Sequence, residues 1–256
     1  MTSAAVRTPS IREVREGLAE VLRPLARLQA ELVDEWAVKI DTAAARRRVR
    51  SGRPAFDAIA ALHEAGDLRR PFHRATKAFE RAGLASPESA MAARQQISEG
   101  VLALGASWIA GEPLPRQEPR RLAQRAAALV AGSVLSRVAT TIRPSVRSVD
   151  RERSTCPACG SAPEFVVATA KVRKLICARC DTQWATTHTG CVGCAAHDSP
   201  TVFRIPSPAI GYELIVCNAC GRYLKERRGR GTMDLLVERT LTAELDAAAE
   251  QRGLRL

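Results

Sequence analysis

The residues with the most definite chemistry are the eight cysteines, which fall into four CxxC pairs: Cys156/Cys159, Cys177/Cys180, Cys191/Cys194 and Cys217/Cys220. A CxxC turn lets two thiolates meet one ion while nearby backbone N–H groups turn toward the sulfurs, and two such knuckles complete a tetrahedron. Eight ligands in four pairs therefore predict two mononuclear metal ions. Tetrahedral coordination by four sulfurs suits zinc and iron alike. Nothing at the N-terminus combines a basic segment with the apolar core of a signal peptide, so the pairs read as metal or redox chemistry in a reducing compartment rather than as disulfides. The expected location is the cytoplasm. No apolar run approaches the ~20 residues of a membrane span.

The intervals between successive pairs are 17, 10 and 22 residues. The first interval contains two short strand-like runs, Phe165–Val167 and Val172–Ile176, and the third contains Val202–Ile205, a turn at Pro206–Pro208, and Tyr212–Val216. Each reads as a hairpin with a knuckle at either end, the plan of a zinc ribbon or rubredoxin-like module. This pairs Cys156/Cys159 with Cys177/Cys180, and Cys191/Cys194 with Cys217/Cys220. A cross-braced arrangement, joining the first pair to the third and the second to the fourth, is the alternative. Trp184–Thr189 and Tyr223–Lys225 each offer a third strand, which makes the two modules an internal repeat.

Candidates for other chemistry are sparse. His188 and His197 lie near knuckles already supplied with four sulfurs, and His63 and His73 have no ligand spacing around them. No Ser/His/Asp set, P-loop or GxGxxG is present, so no catalytic residues are assigned. A redox role for the CxxC pairs, by thiol–disulfide exchange or an iron couple, is an alternative to a structural one, although no CxxC stands in a thioredoxin-like βαβ pattern.

The formal charge of +12 divides unevenly: residues 1–150 carry 24 Lys/Arg against 16 Asp/Glu, and residues 151–256 carry 15 against 11. A divalent ion held by four thiolates adds about −2, so two loaded sites bring the cysteine-rich half near neutrality. Only five of the 39 basic residues are Lys, and the Arg- and Ala-rich bias is what a GC-rich genome produces by itself.

The elements that must carry these sites divide the chain. Residues 1–143 read as an all-α bundle of five or six helices. Ser10-Ile11-Arg12-Glu13 has the form of a capping box, with Ile11, Val14, Leu18 and Leu22 following at helical spacing. A kink or restart is expected at Pro24, with the stripe continuing through Leu25, Leu28, Leu32, Trp36 and Ile40. Further starts are expected at Pro54, near Asp67, at Ser86-Pro87 and at Pro119. Residues 144–155 read as a linker long enough for hinge motion, followed by modules at 156–190 and 191–230 and a closing helix within 231–256, capped by Thr232 and ended at Gly253. The fold class is thus α+β: a helical bundle, two tandem small β modules and a C-terminal helix.

Taken together, CPACGSAP (156–163), CARCDTQW (177–184), CVGC (191–194) and CNACGRYLK (217–225) resemble the C-terminal region of the formate dehydrogenase accessory protein family, FdhE. Pro157, Gly160, Trp184 and Tyr223-Leu224-Lys225 share in the resemblance, which covers roughly residues 150–253. It implies paired rubredoxin-like modules and a cytoplasmic, non-enzymatic helper that binds the catalytic subunit of a molybdenum- or tungsten-dependent formate dehydrogenase during maturation. Trp184, Tyr223, Lys225 and Arg227 are the expected partner-binding residues. The competing readings are a zinc-ribbon protein that contacts nucleic acid through Lys225, Arg227, Arg228 and Arg230, and an iron redox protein. The near-neutral loaded modules and the scarcity of exposed-looking aromatics argue against nucleic acid.

Overall fold

The computed structural model describes residues 9–96, 100–146, 153–169, 173–196, 201–228 and 233–256. Helix α1 (Ile11–Glu35) opens with the capping box: the Glu13 N–H donates to Ser10 Oγ at 3.3 Å, and the Ser10 N–H to Glu13 Oε2 at 2.7 Å. It runs through Pro24 without restarting, because Leu22, Leu25, Leu28 and Leu32 stay buried on both sides of the proline and outweigh one missing hydrogen bond. It also stops earlier than the stripe suggests. Trp36 takes an extended conformation, its indole N–H donates to Ser133 Oγ at 2.8 Å, and Ile40 joins a different core cluster. Asp41 then caps α2 (Thr42–Arg50).

Helix α3 (Ala58–Glu64) begins at Asp57 and not at Pro54, since the Asp57 carboxylate accepts from the N–H groups of Ile59 and Ala60, both at 2.9 Å. The remaining helices are α4 (Arg69–Arg81), α5 (Pro87–Gln96), α6 (Val101–Ala110) and α7 (Arg120–Val146), making seven in the bundle among the described residues. Helix α7 is its axle and touches all six others. Ala123, Ala126, Ala127 and Ala131 are buried along it and let its neighbours approach closely. Pro144, where a linker was expected to begin, lies inside α7; residues 147–152 of that linker lie outside the described set.

The cysteine-rich half forms β1 (Pro163–Ala168), β2 (Arg173–Cys177), β3 (Gln183–Thr186), β4 (Val202–Ser207), β5 (Tyr212–Cys217) and β6 (Arg222–Arg228). Each module is an antiparallel three-stranded meander. The modules are not merely tandem: β1 and β6 pair in parallel, Phe165 opposite Lys225 and Val167 opposite Arg227, giving one sheet in the order β3-β2-β1-β6-β5-β4.

Alternation along these strands buries both faces. Val166, Leu175, Trp184, Ile215 and Leu224 join Ala45, Val49, Leu135, Ala139 and Ile142 of α2 and α7 in a single core. The opposite face presents Phe165, Ile176, Tyr212, Leu214, Val216 and Tyr223 to the C-terminal helices. The hinge expected between the halves is therefore replaced by a shared core.

The closing segment is two helices, α8 (Leu235–Leu241) and α9 (Ala243–Gln251), separated at Thr242. Asp234 caps α8; Thr232, the expected cap, lies outside the described residues. Helix α8 also packs on α1, where Arg15 Nε donates to Glu238 Oε1 at 2.9 Å.

Candidate metal centres

The four knuckles share one backbone device. The residue after the second cysteine of each pair has positive φ: Gly160 (81°), Asp181 (59°), Ala195 (58°) and Gly221 (66°). That left-handed step turns the chain back on itself, and in three knuckles the first cysteine's N–H then donates across the turn: Cys156 to Ser161 O at 2.8 Å, Cys177 to Thr182 O at 3.0 Å, Cys191 to Ala196 O at 2.8 Å. The conformation costs a non-glycine residue roughly 1–2 kcal/mol. At Asp181 an ion pair with Arg239, 2.8 Å from its Oδ1, helps hold it.

These turns gather the sulfurs into two sets, Cys156/Cys159/Cys177/Cys180 and Cys191/Cys194/Cys217/Cys220, with the sulfurs of each set within 4.8 Å of one another. The sequential pairing holds and the cross-braced one does not. The closest sulfur pairs are Cys156–Cys180 at 3.6 Å, Cys159–Cys177 at 3.5 Å, Cys191–Cys220 at 3.5 Å and Cys194–Cys217 at 3.6 Å. A disulfide would need about 2.05 Å. Four sulfurs at the usual metal–sulfur distance of about 2.3 Å stand roughly 3.8 Å apart at the corners of a tetrahedron, so each set fits one ion. Zinc and iron fit these sets equally.

The surroundings of the two sets differ. Around the first, the N–H groups of Ala55 and Phe56 donate to the carbonyls of Pro157 and Ala158 at 3.0 and 3.1 Å, fastening the knuckle to the segment before α3. Ser161 Oγ and Thr182 Oγ1 lie 3.4 and 3.1 Å from Cys159 and Cys180 Sγ, placed to donate once the sulfurs are thiolates. The Arg179 guanidinium sits over the Trp108 ring at 4.6 Å. The thiols of Cys156, Cys177 and Cys180 hold Cys159 far below the ordinary cysteine range, whereas burial pushes Cys177 and Cys180 up. Metal binding at this set therefore displaces protons from buried thiols.

In the second set, burial pushes Cys191 up to about 12. At Cys217 burial acts the same way but is outweighed by the N–H groups of Cys220 and Ala219 and the Cys194 thiol, which bring it down to about 7.

The expected partner-binding residues turn inward. Lys225 is 0% exposed; its Nζ donates to Asp246 at 2.8 Å, Glu164 at 3.0 Å and Thr242 at 3.2 Å, and lies 4.4 Å from the centre of the Phe165 ring. Tyr223 is buried, with its hydroxyl donating to Asp246 at 2.9 Å. Trp184 is buried in the core shared with the bundle, its indole N–H donating to the Arg153 carbonyl at 3.0 Å. Arg227 pairs with Glu238 at 3.2 Å. All four hold the sheet to its neighbours, and Lys225 is enclosed on the face that meets the C-terminal helices, where three oxygen acceptors satisfy it.

His63, His73 and His188 join neither cysteine set. His197, Arg230 and the Arg228 side chain lie outside the described residues. Sequence reasoning missed the polar cluster behind the first centre, where Arg239 donates to Glu164 and Asp181, both at 2.8 Å, and to the Cys177 carbonyl at 3.3 Å. Nothing in the spacing of Glu164, Asp181 and Arg239 announces that they meet.

No family model matches the sequence, and no curated protein matches it. Among solved structures, the crystal structure of the FdhE protein from Pseudomonas aeruginosa is similar, with a TM-score of 0.66 and 20% identity over 95% of this chain and 90% of that one. The likeness spans both the bundle and the cysteine-rich half, and at this identity it is a likeness of fold.

Proposed function

We propose that this protein is a non-enzymatic assembly factor that binds the catalytic subunit of a formate dehydrogenase during its maturation in the cytoplasm, through its metal-clamped half. The observation that carries the reading is the likeness of fold to an FdhE protein along nearly the whole chain, helical bundle included, joined to two four-cysteine sites. Both sites are fully supplied with sulfur ligands, which is the arrangement of a structural metal and leaves no open position for substrate.

Lys225 and Arg227, on which a nucleic-acid reading leans, are engaged with Glu164, Asp246 and Glu238 and are not free to neutralise phosphates. The client surface is assigned instead to the outer strand β4, where Phe203 (40% exposed) and Ile205 (51%) lie two residues apart on one face of the sheet.

Deleting the gene in a host that makes formate dehydrogenase tests the proposal. Formate oxidation is expected to fall, and to return with the wild-type gene but not with a variant lacking Cys191 and Cys194. Unchanged formate oxidation after deletion overturns it.

A further inference from the structure

We propose that the two four-cysteine centres divide between a closed site, Cys156/Cys159/Cys177/Cys180, that keeps its ion, and an open site, Cys191/Cys194/Cys217/Cys220, that exchanges its ion through the solvent-facing thiolate of Cys194. The ligand sets are the same in type and nearly the same in geometry, so a difference in behaviour must come from what surrounds them.

The four sulfur residues of the first site are all buried, as are Pro157, Ala158 and Ala178 between them. One of its knuckles is hydrogen-bonded to Ala55 and Phe56, and all four cysteines belong to the core shared with α2 and α7. An incoming ligand reaches this ion only after the first module parts from the bundle, a local unfolding that breaks apolar contacts and hydrogen bonds together.

Among the described residues the second site has no such cover. Cys194 is exposed and Cys220 half-buried, and Gly193, Ala195, Asn218 and Ala219 around them are exposed. Of these four cysteines, none joins a hydrophobic core cluster. A small apolar cavity is lined by Cys191, Val192, Cys217, Leu224 and Leu256. Attack on the ion, or release of the Cys194 sulfur from it, needs no separation of the sheet from the bundle. The exchanged ligand is a thiophilic divalent cation, and the same exposure makes Cys194 the thiol that a soft electrophile meets first.

The test uses the full chain carrying both ions. Excess EDTA is added, the ion remaining with the protein is followed over time, and parallel samples are treated with iodoacetamide, which forms an Sγ–carbon bond and expels iodide. About one ion per chain should leave tenfold or more faster than the other, with Cys194 alkylated ahead of Cys156, Cys177 and Cys180. In Cys194→Ser the fast-leaving ion should be missing and the slow one retained. Release of both ions at one rate, or labelling of Cys177 as early as Cys194, overturns the proposal; the wild-type labelling order decides even where the variant folds poorly.

Discussion

Gly160 lies against Pro54 so closely that a Cβ built on it would fall 2.7 Å from Pro54 Cγ, which puts the first metal knuckle in direct contact with the helical half. The same residue has φ of 81°. Two independent demands, conformational and steric, meet at one glycine.

Gly160→Ala should therefore cost more than Gly221→Ala. Gly221 makes the equivalent turn with nothing within 4 Å of its would-be Cβ, so it should lose only the roughly 1–2 kcal/mol of the left-handed conformation. Gly160 should lose about 1–3 kcal/mol more for the clash. Denaturant unfolding of the metal-loaded variants measures both, and equal losses would show that Pro54 simply moves aside.

Elemental analysis of anaerobically prepared protein should find about two metal ions per chain, one for each four-sulfur set. Cys156→Ser should remove about one of them and leave the set containing Cys217 filled. Loss of both ions would mean that the modules cannot load separately.

Removing the ions should be felt in the helices. A structural site contributes roughly 10–16 kcal/mol in small zinc peptides, and here the first site sits in a core that includes Val49, Leu135 and Ile142. Chelation should unfold the sheet and lower the melting temperature of the helical signal in far-UV circular dichroism, while the bundle's own core around Leu32, Phe72 and Val130 keeps much of the helix formed at room temperature. A helical melting temperature indifferent to metal would refute this coupling.

Lys225→Met keeps most of the side-chain volume and removes the charge, leaving Asp246 without its buried cation and Glu164 with Arg239 alone. The expected loss is about 3–5 kcal/mol. In the wild type Glu164 opposes the cost of burial with Arg239 and Lys225 beside it and is held at about 2, below its ordinary 4.5. Its contribution to stability is thus full above the ordinary value and declines as the pH falls from there toward 2. Asp246, raised by burial, acts in the opposite sense and offsets part of that loss. Without Lys225 the folded-state value of Glu164 moves back toward 4.5, so the acid-induced decline from this group should be smaller and should end at higher pH, which unfolding curves across an acid series would reveal.

If the client docks on the edge of the sheet, Phe203→Asp combined with Ile205→Asp should weaken its binding about tenfold or more, with metal content and melting temperature little changed. Undiminished capture of the formate dehydrogenase catalytic subunit by this double variant would remove β4 from the client surface without touching the metal sites.

The sequence alone carried the local half of this protein. Four CxxC pairs, two intervals of hairpin length and strand-like runs such as Tyr212–Val216 were enough for the two four-sulfur sets, their sequential pairing and the strands between them, because a knuckle and a hairpin are set by residues a few positions apart. Ser10 and Glu13 marked the start of α1 for the same reason. What only the tertiary structure decided were the joins: the parallel pairing of β1 with β6, the core common to Val166, Leu135 and Ile142, and the meeting of Lys225 with Glu164 and Asp246. Each depends on which apolar face finds which other face once the chain has collapsed, and on charges far apart in sequence satisfying one another where water is excluded. Local pattern shows that Lys225 alternates onto a face of the sheet. Whether that face meets solvent or α9 is settled by packing.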